Sequence, residues 1–263
     1  AIVSVGLDHV DQLGPDLASI AAEKAGIIKP GRTVVVGPMP QDALRVIRLI
    51  ARERGAPLLE AGEQYRTLCA SQGRFTWTSG ERLFRDLPLS LLGDHQIDNA
   101  GVALTLLSAI QDRFPVSESG LREGLARAVH PGRLEWIQDD ILLDGAHNSE
   151  GAASLAAYLR GLPRQGPRTL LLGASVDKDV RSMVVQLSPH VDRVLTTQCR
   201  HPRSAEAGEI ARTLIDVDMP VLPAGPIEQA LVLARDGRAQ VIVAGSLFLV
   251  GAVRSLLEDS PTW

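Results

Sequence analysis

The feature that most constrains the fold is an alternation in the second half of the chain, where short apolar runs rich in branched residues are separated by stretches of helical period. Strands are expected at Ile141 to Leu143, Thr169 to Leu172, Val191 to Thr196 and Val241 to Ala244, with helices in the intervals. Consecutive parallel strands need a crossover long enough to hold a helix, and such crossovers are right-handed. The fold class that follows is α/β, with a mostly parallel sheet in a Rossmann-like carboxyl-terminal domain. No G-x-G-x-x-G segment follows any of these strands.

The first half reads differently. Ile2 to Val5 has the pattern of a short buried strand, followed by the loop G-L-D-H-V-D-Q-L-G-P and a helix that starts at Pro15-Asp16 and stops at Gly26. Thr33 to Val36 and Pro57 to Leu59 are strand-like and flank a helical segment at Ala43 to Arg54. From Tyr65 to Leu92 the segments shorten, with turn residues at Gly73 and Ser79-Gly80, which suggests a small antiparallel addition. Helices resume near Gln96 and Leu121. A chain of 263 residues is comfortable for two domains, and the boundary is expected at Pro131-Gly132, giving residues 1–131 and 132–263.

Charge and hydropathy exclude several function classes. The 31 acidic and 27 basic residues are interspersed and leave a net charge of −4, which offers no field for nucleic acid or a membrane surface. The longest apolar stretch, Val241 to Val253, is broken by Gly245, Ser246 and Gly251 and falls short of the roughly 20 residues that span a bilayer. Small molecules are the expected partners, and a monomer the expected state. Cys69 and Cys199 lack any metal-ligand spacing and are expected to be buried thiols in a reducing, cytoplasmic compartment. The start, A-I-V-S-V-G-L, has no basic leader and no initiating Met, so it reads as an interior strand of a longer parent.

In the first helix, Leu17, Ile20, Ala21 and Lys24 fall at i, i+3, i+4 and i+7, which puts Lys24 on the apolar face. Two outcomes fit that placement. The stem can run along the core and release the ammonium at the helix end. Alternatively, a desolvated amine takes up carbon dioxide as a carbamate and becomes an anionic oxygen donor for a hard metal, with His9 a neighbouring ligand.

The wording of these segments resembles a known family. G-L-D-H-V-D-Q-L-G and E-K-A-G-I-I-K-P-G, with fifteen positions from His9 to Lys24, are similar to the central ATP-binding domain of the folylpolyglutamate and dihydrofolate synthases, within the Mur ligase superfamily. The resemblance implies that His9 binds magnesium and that Lys24, carbamylated, helps to hold it. L-L-G-D-H-Q-I-D-N-A-G-V-A-L is similar to the family's glycine, histidine and asparagine pattern opening a buried helix. Asn99 shares a stripe with Ala103, Leu106 and Ile110, where an amide either caps its own helix or reaches a ligand. The resemblance implies contact with ATP. His95 and Gln96 read as helix-start residues.

Three further segments carry the resemblance through the rest of the chain. His130-Pro131-Gly132-Arg133-Leu134-Glu135 resembles the family's P-G-R-x-E junction between domains. A lone arginine there would ordinarily make a salt bridge, but the motif implies that the Arg133 fork meets the γ-phosphate during transfer. Asp144-Gly145-Ala146-His147-Asn148 resembles the D-x-A-H-N signature at the end of a strand. Read alone, Asp144 is a turn residue and His147 a cap; the resemblance implies ribose contact for Asp144 and phosphate or amino-acid contact for His147. The loops Gly173 to Asp179 and Gly245 to Gly251 are similar to the family's D-K-D and G-S-L-aromatic segments, which implies that Lys178, Ser246 and Phe248 line the pocket of an incoming glutamate. His201-Pro202-Arg203 fits either a third polar loop or plain surface.

A T-x-G-K-G/T phosphate loop does not occur in these residues. The resemblance therefore covers the later part of the family's chain, and these residues alone are expected not to turn over. For the intact enzyme it implies that ATP, with Mg2+, phosphorylates a carboxylate of folate or dihydropteroate, and that the amine of L-glutamate displaces the phosphate. The alternatives are another Mur-type amino-acid ligase and a non-catalytic nucleotide- or folate-binding module.

Overall fold

A computed structural model describes residues 1–6, 14, 16–71 and 73–258. The chain divides into two compact units, Ala1–Val129 and His130–Trp263.

In the first unit, helix α1 spans Leu17–Ala25, and its start is fixed by the Asp16 carboxylate, which accepts from Ser19 N at 2.8 Å. Strands β1 (Val34–Val36) and β2 (Leu58–Glu60) pair in parallel, and α2 (Gln41–Glu53) makes the crossover. The stretch expected as a first strand contributes a single bridge, Ile2 to Val36. Gly37 follows because a Cβ there would lie 2.2 Å from the Val3 carbonyl oxygen. The core here is Ile2, Val5, Ile20, Ile28, Val34, Val36 and Ile47.

The antiparallel addition is a three-stranded meander of β3 (Tyr65–Ser71), β4 (Arg74–Ser79) and β5 (Arg82–Pro88). Its two turns use Gly73 and Gly80 at positive φ, 71° and 56°. Phe75, Trp77 and Leu87 are buried in one cluster with residues of α3 (Asp94–Ala109), and Trp77 Nε1 donates to Thr105 Oγ1 at 3.1 Å. Gly101 is the close-approach point, since a Cβ there would sit 2.4 Å from Thr67 Cγ2. Helix α4 is Glu118–Ala126. Cys69 departs from expectation: it is exposed, because β3 is an edge strand whose second half, from Leu68 on, faces solvent.

The second unit is a six-stranded sheet formed by β6 (Glu135–Ile137), β7 (Ile141–Leu143), β8 (Arg168–Leu172), β9 (Arg193–Thr196), β10 (Val221–Pro223) and β11 (Gln240–Ala244), in the order β10-β9-β8-β11-β7-β6. All pairs are parallel except the β6–β7 hairpin. Helices α5 (Ser149–Gly161), α6 (Val180–Leu187), α7 (Ala207–Thr213) and α8 (Ile227–Ala234) fill the connections, and α9 (Leu247–Glu258) follows β11. β7, β8 and β11 are buried at every position, as sheets covered on both faces require.

Arg168 opens β8 at 1% exposure. Its guanidinium donates to the carbonyls of Leu159, Leu162 and Pro163 and to Gln240 Oε1, so one buried cation ties the end of α5 to β8 and β11. The loops that leave the carboxyl ends of β7, β8, β9 and β11 carry almost all the polar residues singled out in this half, where open parallel sheets bind their ligands.

Candidate functional site

Arg133 sits in a turn with left-handed residues on either side. Gly132 has φ 69° and Leu134 φ 46°. A Cβ on residue 132 would meet Val250 Cγ1 at 2.7 Å, so glycine is required there. Leu134 is strained by roughly 1–3 kcal/mol in that conformation, and it is buried at 2% exposure. Its N–H is taken by Asp144 Oδ2 at 2.9 Å, whereas Gly132 N donates to Glu135 Oε2 at 2.7 Å. Gly145 N donates to the Gly132 carbonyl at 2.7 Å, which locks the turn to the strand end that carries Asp144. At Gly145 a Cβ would lie 2.4 Å from Leu247 Cδ2 and 3.3 Å from Arg133 Nη1, so a side chain there would have to displace Leu247 and press on the guanidinium.

Asp144 is 5% exposed, and its other oxygen accepts from Ala146 N at 2.9 Å. The carboxylate thus braces two loops from inside, a role beyond that of the turn residue its sequence position suggests. His147 Nδ1 lies 2.9 Å from the Gly145 carbonyl. A carbonyl only accepts, so Nδ1 carries the proton and Nε2 is the basic nitrogen of the neutral ring. His147 does not cap the following helix; Asn148 does, accepting from Gly151 N at 2.8 Å.

The loops after β8 and β9 are zipped together by main-chain bonds. Val176 N donates to the Arg203 carbonyl at 3.0 Å, Ala205 N donates to the Ala174 carbonyl at 2.9 Å, and Ser175 bridges Ser204. Lys178 is half-buried there, 3.9 Å from the Asp177 carboxylate, and Asp179 caps α6. The loop after β11 joins them through a ring stack, with His201 and Phe248 centroids 3.9 Å apart and planes within 18°. Phe248 N donates to Ser246 Oγ at 3.1 Å. Gly245, at φ 104°, passes so close to β8 that a Cβ would be 2.5 Å from the Gly173 carbonyl oxygen.

His201 is therefore part of this constellation and not plain surface. It also borders a cleft of about 670 Å3 lined by Cys199, Arg200, Glu206, Gly225 and Ile227 among others. Burial pushes the Cys199 thiol upward, so it stays protonated. The signal that could have placed His201 is the proline after it, which fixes a turn at a strand's carboxyl end. The residue that sequence reasoning missed is Glu135, whose spacing of three from Gly132 is the spacing of a side chain that returns to a backbone N–H.

In the first unit, Lys24 is half-buried at the last turn of α1, and its ammonium donates to the Ser4 carbonyl at 3.0 Å. A carbamate on this nitrogen would retain one N–H, which fits that acceptor. His9 lies outside the described residues. Among the described residues no group of three His, Cys, Asp or Glu side chains is placed to hold a metal ion. Asn99 does not cap its helix, because the cap position is Gly93, six residues earlier. Its Nδ2 donates to Gln96 Oε1 at 3.0 Å, and Gln96 Nε2 lies 3.1 Å from His95 Nε2, so the three polar groups form a chain along the first turns of α3. Asp98 faces Thr67, and burial raises its carboxyl above the ordinary value.

Comparison with known proteins follows the same division. Residues 132–247 match the Mur ligase glutamate ligase domain. The chain is 30% identical to a dihydrofolate synthase/folylpolyglutamate synthase of Bacillus subtilis, over 98% of this chain and 62% of that protein. Among solved structures, Mycobacterium tuberculosis folylpolyglutamate synthase complexed with ADP superposes with a TM-score of 0.91 at 27% identity, covering 99% of this chain and 63% of that one. Escherichia coli FolC in complex with DHPP and ADP gives a TM-score of 0.87 at 30% identity, covering 97% and 61%. The chain thus spans about six tenths of the length of these relatives. Residues 132–247 are a Mur ligase glutamate ligase domain, in a chain homologous to the folylpolyglutamate and dihydrofolate synthases over nearly its whole length.

Proposed function

We propose that the protein to which this chain belongs joins L-glutamate to a carboxylate of folate or dihydropteroate, using ATP and forming ADP. The observation that carries the reading is the clustering of Lys178, His201, Phe248 and Ser246, on two loops linked by main-chain bonds and a third segment joined to them by a ring stack, in the same glutamate ligase domain that presents Arg133. The substrate carboxylate oxygen attacks the γ-phosphorus of ATP, ADP leaves, and the glutamate amine then attacks the acyl carbon and expels inorganic phosphate.

Each residue has a part in this scheme. The Arg133 fork neutralises charge on the transferred phosphoryl group, which loads its equatorial oxygens in the transition state. His147 holds Nδ1–H on Gly145 and offers Nε2 to the proton that glutamate's ammonium must lose before it can attack. Lys178 meets the incoming carboxylate, and the flat Phe248–His201 stack excludes water around its methylenes. Asn99 contacts the nucleotide, as does Asp144, whose carboxylate is held in place by the N–H groups of Leu134 and Ala146. Magnesium would be held by His9 and by Lys24 as its carbamate, supplying positive charge at the phosphates. The protein is read as cytoplasmic and monomeric; no helix among the described residues is long and apolar enough to cross a membrane.

Full-length protein is the material for the test, because the chain spans only part of its relatives. Glutamate-dependent ADP release with dihydropteroate, with a tetrahydrofolate, or with both supports the reading and names the substrate. ADP release only with a peptidoglycan-type acceptor, or nucleotide binding without turnover, overturns it.

A further inference from the structure

The turn that carries Arg133 is held from both sides by carboxylates. Strands β6 and β7 pair antiparallel with Glu135 opposite Leu143, so Glu135 and the residue after Leu143, Asp144, come to the same end of the hairpin. From there Asp144 takes the N–H that follows Arg133 in the chain, and Glu135 takes the N–H that precedes it. The second oxygen of Glu135 accepts from Arg254 Nε of α9 at 3.2 Å, and Arg254 pairs in turn with Glu258 at 2.8 Å. The Glu135 side chain is 20% exposed, so its charge sits in a setting where a cationic partner matters.

We infer that Glu135 is a positioning residue for Arg133, with Arg254 holding the Glu135 carboxylate in place. The inference rests on the phosphoryl-transfer reading of Arg133 above. Two left-handed residues flanking Arg133, one of them not glycine, do not persist without donors and acceptors that over-determine them. Asp144 meets that need at Leu134. Glu135 meets it at Gly132, where glycine lowers the steric barrier and also widens the range of backbone angles open to the turn. Without Glu135 the guanidinium would sample several directions, and misplacement by about 1 Å can cost roughly a hundredfold in rate. Glu135→Gln keeps an oxygen for Gly132 N and loses the charge that binds Arg254, so it loosens the clamp without emptying it.

The test is a kinetic cycle in the full-length protein. Glu135→Gln is expected to lower kcat about tenfold with KM for ATP within about twofold, and Arg254→Gln to lower kcat in the same sense by a smaller factor. In an Arg133→Lys background, where the bidentate fork is gone, Glu135→Gln is expected to change the residual kcat by less than about twofold. An equal loss in both backgrounds would show a general structural role and overturn the inference, as would an unchanged kcat for Glu135→Gln. Wild-type kcat in Arg133→Lys and Arg133→Ala alike would overturn the reading of Arg133 itself. Arg254→Gln serves as the second approach to the clamp if Glu135→Gln melts below the assay temperature, and wild-type kcat in a folded Arg254→Gln then overturns the inference.

Discussion

The two units hold their candidate site residues in different ways. In His130–Trp263 many of the partners are main chain: Asp144 on Leu134 N and Ala146 N, His147 on the Gly145 carbonyl, Glu135 on Gly132 N, and the loops after β8 and β9 on each other, beside the Lys178–Asp177 pair and the His201–Phe248 stack. In Ala1–Val129 they are chiefly side chains, as in the run from His95 through Gln96 to Asn99, with Lys24 on one carbonyl at a helix end. A backbone partner cannot turn away without moving a strand, whereas a side-chain partner can rotate. On the proposed function, the second unit would present a surface already set for its ligand, and the first would hold groups that a nucleotide and a metal can re-pair.

The largest expected effect falls on the re-pairable side. Lys24→Ala should lower glutamate-dependent ADP release by about a thousandfold, with partial recovery in acetate or formate, because a small carboxylate can stand in for the carbamate. Retention of full activity would remove Lys24 from the metal site and leave it a snorkelling lysine.

The set side is probed through its frame. Arg168→Met removes the cation that serves three carbonyls and Gln240, and urea unfolding should show a loss of about 3 kcal/mol. A neutral result would mean that the rigidity of this unit does not depend on the buried arginine. A smaller effect is expected at the ring stack, where Phe248→Ala should raise KM for glutamate about tenfold, or about 1.4 kcal/mol, with kcat nearly kept. A fall in kcat at constant KM would place the stack elsewhere in the reaction.

The smallest effect is one of pH. Burial, then the charges of Arg160, Arg168 and Arg164, holds His190 below its ordinary value of 6.5. The folded state therefore favours the neutral ring, so its contribution is complete above pH 6.5 and is lost as pH falls through the unfolded value towards the folded one. His190→Gln should flatten the stability profile in that window by less than about 1 kcal/mol, as followed by thermal melts from pH 7 to pH 5. An unchanged slope would exclude His190 as its source.

Much of this was legible in the sequence, for physical reasons that differ by residue. The alternation of apolar runs and helical stretches gave the parallel sheet, because strands buried on both faces must be continuously apolar. Helical spacing alone made Lys24 unusual, whereas Arg133 stood out only through its motif. β6 and β10 escaped because each is three residues long, one opening on Glu135 and the other closing on Pro223 at the sheet edge. Cys69 was misplaced because a thiol's apolar character says nothing of whether its strand lies at an edge. His201 and Glu135 act through partners distant in sequence or through the backbone, which no periodicity records.

The central claim, an acyl phosphate made on the substrate carboxylate, is open to one direct measurement. Full-length protein is given ATP, glutamate and a pteroate or folate substrate labelled with oxygen-18 in the reacting carboxylate, and the phosphate released is analysed by mass. Transfer of one labelled oxygen to inorganic phosphate for each amide formed is the predicted result. Amide formation with unlabelled phosphate would contradict the account.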